Sequence, residues 1–132
     1  MTAARLSIEV PRDYWLTANR TVVNHGYRRR IIDALHTITA TSARAQRLPT
    51  IPTPCVVTWT IHYPHGTATA DPVNAHPTTK AIADELVRGR WLAADDSAHV
   101  VEERFRRGPN LPERGGHLVI ATFQPAEEVS GE

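Results

Sequence analysis

"CVVTWTIHYP", residues 55–64, decides how the rest of the chain is read. β-Branched and aromatic residues fill a short run that Pro64 closes, which reads as a central strand. Cys55 at its head reads as a small buried hydrophobe. Downstream the period changes. In "PTTKAIADELVRG" (Pro77–Gly89) the proline suits a first helical turn, Ile82 and Leu86 fall on one face, and Gly89 offers a stop. "HVVEERFRR" (His99–Arg107) and "GHLVIATFQ" (Gly116–Gln124) alternate as two further strands, joined by the turn-rich "GPNLPERGG". Upstream, "RLSIEV" (Arg5–Val10) alternates and stops at Pro11. From about Tyr27 to Ala45, Ile31, Leu35 and Ile38 recur at helical spacing. The order strand, helix, strand, helix, strand, strand predicts an α+β domain: a small mixed sheet with two main helices packed on one side.

The chain has 132 residues, which fits a single domain over residues 1–125 followed by a polar tail, "PAEEVSGE", from which 126–132 are set apart. Ten prolines and seven glycines supply well-marked turns. The net charge is only +1, so there is no global nucleic-acid signature. The arginines are nevertheless clustered, at Arg28–Arg29–Arg30, at Arg88 and Arg90, and at Arg104, Arg106 and Arg107. Local patches of that kind can bind phosphate even when acids elsewhere cancel the sum. The triple arginine sits on the first turns of its helix, unfavourably placed against the helix dipole unless it faces an anion. A single cysteine, Cys55, excludes an intramolecular disulfide and cannot make a thiolate metal site alone. No apolar run approaches the roughly 20 residues needed to span a bilayer, and the expectation is a soluble, cytoplasmic protein without a membrane partner.

Charged residues of a different kind gather between Asp71 and Asp96. "DPVNAHPTTK" (Asp71–Lys80) opens with a carboxylate, breaks twice at proline and ends with a helical lysine. "ADDS" (Ala94–Ser97) presents Asp95 and Asp96 just before a strand, and Asp84 follows Lys80 by one turn. Phosphodiester hydrolysis uses a hard divalent cation held by one or two carboxylates, with waters and substrate oxygens completing the shell. Loop carboxylates at two strand ends can converge over one sheet edge, and a lysine beside them can steer a phosphate or protonate a leaving group. Solvated turns and a helix cap would use the same residues.

Asp71–Gly108 resembles the core of the RusA family of Holliday-junction resolvases, especially phage and prophage relatives. That family's pattern runs Asp-Pro-Asp-Asn-Leu, then a lysine and a helix ending in Asp-x-Leu, then a turn, a double aspartate and a strand. Here "DPVN" supplies the first Asp and the Asn, Lys80 the lysine, "ADEL" (Ala83–Leu86) the helical aspartate and "ADDS" the pair. The resemblance covers about 38 residues strongly and extends weakly to the first strand, the Ala18–Arg20 loop and the first helix. It implies a Mg²⁺-dependent endodeoxyribonuclease, with Mn²⁺ as an alternative cation, that acts as a homodimer and nicks opposed strands of a four-way DNA junction. Asp71 and Asp96 would be catalytic metal ligands, with Asp95 open as the alternative to Asp96. Lys80 would be the catalytic or phosphate-contacting lysine. Asn74 would tie the loop down, Asp84 would orient Lys80, and Arg28, Arg29, Arg30, Arg106 and Arg107 would join Lys80 on DNA phosphates.

The departure falls at Val73, where the family carries its second aspartate, and Ala75 stands for the usual leucine. Valine has no lone pair to offer a cation, and His76 beside it is a poor Mg²⁺ ligand. Weak metal binding and slow or absent cleavage are expected, which makes a catalytically degenerate branched-DNA-binding protein the alternative on the same fold. His62 and His65, at HxxH spacing on a strand and its turn, point to different sides and lack the third and fourth ligands of a zinc site. Trp15, Trp59 and Trp91 read as core or dimer-interface residues.

Overall fold

A computed structural model describes residues 3–128. Six main elements appear in the expected order: β1 (Ala4–Val10), α1 (His25–Ala45), β2 (Cys55–His62), α2 (His76–Arg88), β3 (Val100–Arg107) and β4 (His117–Pro125). Short 3₁₀ turns lie at Arg12–Tyr14, Pro72–Ala75 and Ala126–Glu128. The protein is a single small α+β domain, a four-stranded mixed sheet with both helices packed against it.

The sheet order is β1-β4-β2-β3. β4 runs antiparallel to both β1 and β2, while β2 and β3 are parallel and joined through α2. The last strand therefore inserts in the middle of the sheet. Register carries the core across it: Leu6 lies opposite Ala121 and Ala121 opposite Trp59, while Ile8, Val119 and Ile61 form the next row. These side chains are at most 1 % exposed. β1 shows the cause, since its residues alternate strictly between buried and exposed or half-buried, putting every apolar side chain on one face. Ile31, Leu35, Ile82 and Leu86 from the helices complete that core, and burying each such side chain stabilises the fold by about 1.5–3 kcal/mol. Trp59 packs edge-on to Phe123 at its centre, 6.1 Å between centroids.

Two boundaries differ from expectation for local reasons. α1 begins two residues before Tyr27, because Asn24 caps it: its Oδ1 accepts from the Tyr27 N–H at 2.9 Å. α2 does end at Gly89, yet Gly89 keeps a right-handed φ of −81° and the left-handed turn falls on Arg90, at φ 67°. Glycine is required at 89 by space instead, because a Cβ there would lie 2.2 Å from the Trp91 ring. The Ala126 N–H donates to the Pro54 carbonyl at 2.9 Å, and residues 129–132 lie outside those described.

α1 and α2 run in the same direction. Arg28 and Ile32, early in α1, share a cavity of about 240 Å³ with Pro77, Lys80, Ala81 and Asp84 of α2. At the far end Arg44 of α1 lies over the Trp91 ring just past α2, 5.9 Å from its centroid. The two helix N-termini are thus side by side, and they lie where β2 hands the chain to the Asp71 loop.

Candidate functional site

The Asp71 loop is built by turn chemistry. Asp71 caps the 3₁₀ turn Pro72–Ala75, its carboxylate accepting from the Val73 N–H at 3.4 Å, and Pro72 fixes the first turn residue. The loop is pinned to the segment after β1. Ala18 N–H donates to the Asn74 carbonyl at 2.8 Å, and buried Thr78 exchanges two hydrogen bonds with the Leu16 backbone, at 2.9 and 2.7 Å. The Asn74 contact that pins this loop is made by its backbone carbonyl. Val73 stands exposed on the turn, 49 % of its surface open to solvent.

Lys80 projects from the second turn of α2 and is held between two carboxylates. Its Nζ lies 2.9 Å from Asp95 Oδ2 and 3.0 Å from Asp84 Oδ1. The hydrogen bond it donates to Asp95, followed by the one it donates to Asp84, raises the Lys80 pKa above the usual lysine value. At neutral pH the group is a fixed positive charge, suited to holding an anion and poorly suited to donating a proton. Asp84 holds the lysine as expected, and of the aspartate pair it is Asp95 that reaches it.

Asp96 is occupied elsewhere. Its Oδ1 accepts from the backbone N–H groups of Ala98 and His99, at 3.0 and 3.1 Å, and meets His99 Nδ1 at 2.7 Å. The His99 contact chiefly lowers the Asp96 pKa. The carboxylate caps the turn that leads into β3. Asp71 and Asp95 also line different cavities. Asp71 shares one of about 220 Å³ with Asn19, Tyr63 and Asn74, whereas Asp95 shares one of about 200 Å³ with His76, Lys80 and Glu103. Among the described residues no group of three or more His, Cys, Asp or Glu side chains could hold a metal ion. Asp71, Asp95 and Asp96, the aspartates expected to share a Mg²⁺ ion, are not gathered into one such group. The Lys80 ammonium lies between Asp84 and Asp95.

The arginines divide by partner. Arg28 lines the groove between the helices with Lys80 and His76. Arg29 lies 3.5 Å from Asp33 in an exposed pair, and Arg30 lies over the Tyr27 ring at 5.7 Å. Arg106 is exposed on β3. Arg107 is engaged within the fold: its guanidinium donates to the carbonyls of Thr67 and Ala68 and to Asn110 Oδ1, and lies 5.2 Å from the Tyr63 ring centroid. Instead of standing ready for phosphate it fastens the loop after β2. Cys55 is buried, and desolvation raises its pKa, which disfavours the thiolate that a nucleophile would need.

Glu103, Glu85 and His117 escaped the sequence reading. Glu103 and the aromatic floor of Trp59 and Phe123 join Lys80 and Asp95 only through the β2–β3 pairing and α2. Glu85 is buried to 5 % exposure on α2 with Arg88 2.7 Å away, and an acidic residue in a charged helix gives no sign of that. His117 stacks flat on Trp15, 3.6 Å between centroids. Burial pushes its pKa down to about 4, so the ring is neutral at pH 7. No helix of the described residues is long and apolar enough to cross a membrane. No family model matches this chain, and no curated protein matches it either.

Proposed function

We propose that this chain is a RusA-like protein that binds branched DNA, with metal-dependent nicking crippled by the valine at position 73. One observation carries the reading. The place between Asp84 and Asp95 where a cation would sit holds the Lys80 ammonium, at 2.9–3.0 Å from each, and the position that would add a carboxylate is an exposed valine. Asp84 and Asp95 outweigh the single Lys80 charge, so the pull on a phosphate in this groove comes from Arg28 and from the positive ends of the two helices, without a metal.

A working Mg²⁺-dependent resolvase, making paired nicks at a Holliday junction, is the second reading. It is favoured by the motif carboxylates Asp71, Asp95 and Asp96, all of which are exposed to solvent. One assay separates the two. A labelled synthetic four-way junction is incubated with the wild-type protein and with Val73→Asp, in EDTA, Mg²⁺ or Mn²⁺, and both retention and nicking are scored. The proposal expects wild-type binding in EDTA within a few-fold of that in Mg²⁺, and nicking at least 100-fold slower than by Val73→Asp. Equal nicking by both proteins overturns it in favour of the resolvase. Absence of junction binding overturns both.

A further inference from the structure

Two of the few large hydrophobic side chains left open to solvent are tyrosines, Tyr14 at 36 % exposure and Tyr27 at 46 %. They come from separate elements and line one groove of about 300 Å³, together with Asp13, Arg30, Ile31 and Ala34. Both stand on fixed backbone. Tyr14 closes the 3₁₀ turn Arg12–Tyr14, and its N–H donates to the Pro11 carbonyl at 3.0 Å. Tyr27 is held by the Asn24 cap of α1. A tyrosine has few side-chain torsions to freeze, so a flat ligand settles on its ring at little entropic cost. Among the described residues neither ring packs on another aromatic ring. Arg30 lies over Tyr27, 5.7 Å from the ring centroid.

The surroundings name the occupant. Over the 3₁₀ turn and the opening of α1 as far as Ala34, Arg12, Arg28, Arg29 and Arg30 outnumber Asp13 and Asp33, which favours a ligand that carries negative charge. Tyr27 and Arg28 are consecutive, so this groove adjoins, across the first turns of α1, the one where Arg28 and the two helix N-termini draw a phosphate. A flat ring on an anionic backbone fits both grooves, and an unpaired nucleotide is that combination. In a duplex the base faces are covered by their neighbours, whereas an unpaired base offers its face to an aromatic side chain. A proline-rich peptide also docks in aromatic grooves, but it brings no negative charge to the arginines.

We infer that the Tyr14–Tyr27 groove is a stacking site for unpaired bases, taking single-stranded DNA that leaves the branch point beside the Arg28 groove. This occupant rests on the DNA-binding reading, and the test keeps the two apart. The full chain, in EDTA, is titrated into a fluorescent thymidine oligonucleotide, the same oligonucleotide annealed to its complement, and a four-way junction. The wild type should hold the single strand several-fold more tightly than the duplex. Tyr14→Ala and Tyr27→Ala should each lower single-strand affinity about tenfold, the loss of one stacked base, with unchanged circular dichroism. Tyr14→Phe and Tyr27→Phe keep the ring and should restore it, an outcome that separates stacking from a hydroxyl contact or misfolding. Equal binding of single strand and duplex overturns the inference, and so do alanine variants that bind like the wild type or phenylalanine variants that fail with them. Junction binding without single-strand preference overturns it and leaves the DNA-binding reading standing; tyrosine-dependent single-strand binding without junction binding does the reverse. Saturable binding of an oligoproline peptide with no oligonucleotide bound overturns it in favour of a peptide partner.

Discussion

A methyl group on Gly89 would sit 2.2 Å from one ring carbon of Trp91 and 2.5 Å from another. Gly89→Ala should therefore displace the indole from beneath Arg44 and cost about 1–3 kcal/mol, as overpacking does; urea denaturation measures it. The glycine was legible as a helix end, but the reason for it was not. A single sequence shows that a glycine follows a helix and is silent on a ring two residues later folding back over it. His117 is a similar case. Period-2 alternation placed it in a strand, while its stack with Trp15 depends on where a loop from the other end of the chain lands. Its folded pKa of about 4 lies below the usual 6.5, so between those values the unfolded chain binds more protons. Stability is complete above pH 6.5 and declines as pH falls toward 4. The loss reaches about 2 kcal/mol once partial exposure of the ring is allowed for. In His117→Phe, which keeps a ring on Trp15 but cannot titrate, thermal melts between pH 7 and pH 4 should fall less steeply by that amount. A parallel decline in both proteins would show that His117 does not titrate as described.

Elements were read more easily than their arrangement. Both helices and all four strands follow from local period and turn residues. Asn24 is the kind of residue that starts a helix, and Asn24→Ala should cost about 1 kcal/mol and lower the melting temperature by roughly 3–5 °C. A change under 1 °C would mean that water replaces the cap. What stayed hidden was pairing. β4 lies between β1 and β2, over a hundred residues from one partner and about sixty from the other, and nothing in its own alternation names them. The parallel course of α1 and α2 is hidden for the same reason. It follows from which face of the sheet each crossover covers. Yet that course brings Arg28 to Lys80, in the groove between the opening turns of the two helices. The candidate site divides along the same line. Lys80 with Asp84 was legible as an i, i+4 pair, whereas Asp95 arrives through topology. Asp71 and Asp96 are drawn off by their own turns, whose backbone N–H groups they cap.

At the scale of the whole molecule, a chain of net charge +1 has no long-range pull on DNA, so any grip must be local and geometric. Of the clustered cations, Arg107 is spent on the fold, Arg29 lies beside Asp33, and Lys80 is shared by two aspartates. Arg28 is the cation placed in the groove between the two helix N-termini. Through this groove each chain can neutralise few phosphates, and the salt dependence of junction binding there should be shallow for a DNA-binding protein. Each phosphate contact contributes about −0.9 to the slope of log K against log salt. Arg28→Ala should lower affinity several-fold at low salt and flatten the slope by about one contact for each bound chain, without altering preference among junction sequences. Lys80→Ala should behave differently. It removes one cation but releases Asp84 and Asp95 as an unneutralised pair beside the groove, so affinity should fall further than in Arg28→Ala. Added Mg²⁺ should recover part of that loss by taking the vacated seat. Titrations of a labelled junction at several salt concentrations, with and without Mg²⁺, read both effects. If Mg²⁺ does nothing for Lys80→Ala, the lysine is an ordinary phosphate contact and the aspartates beside it are not a cation seat.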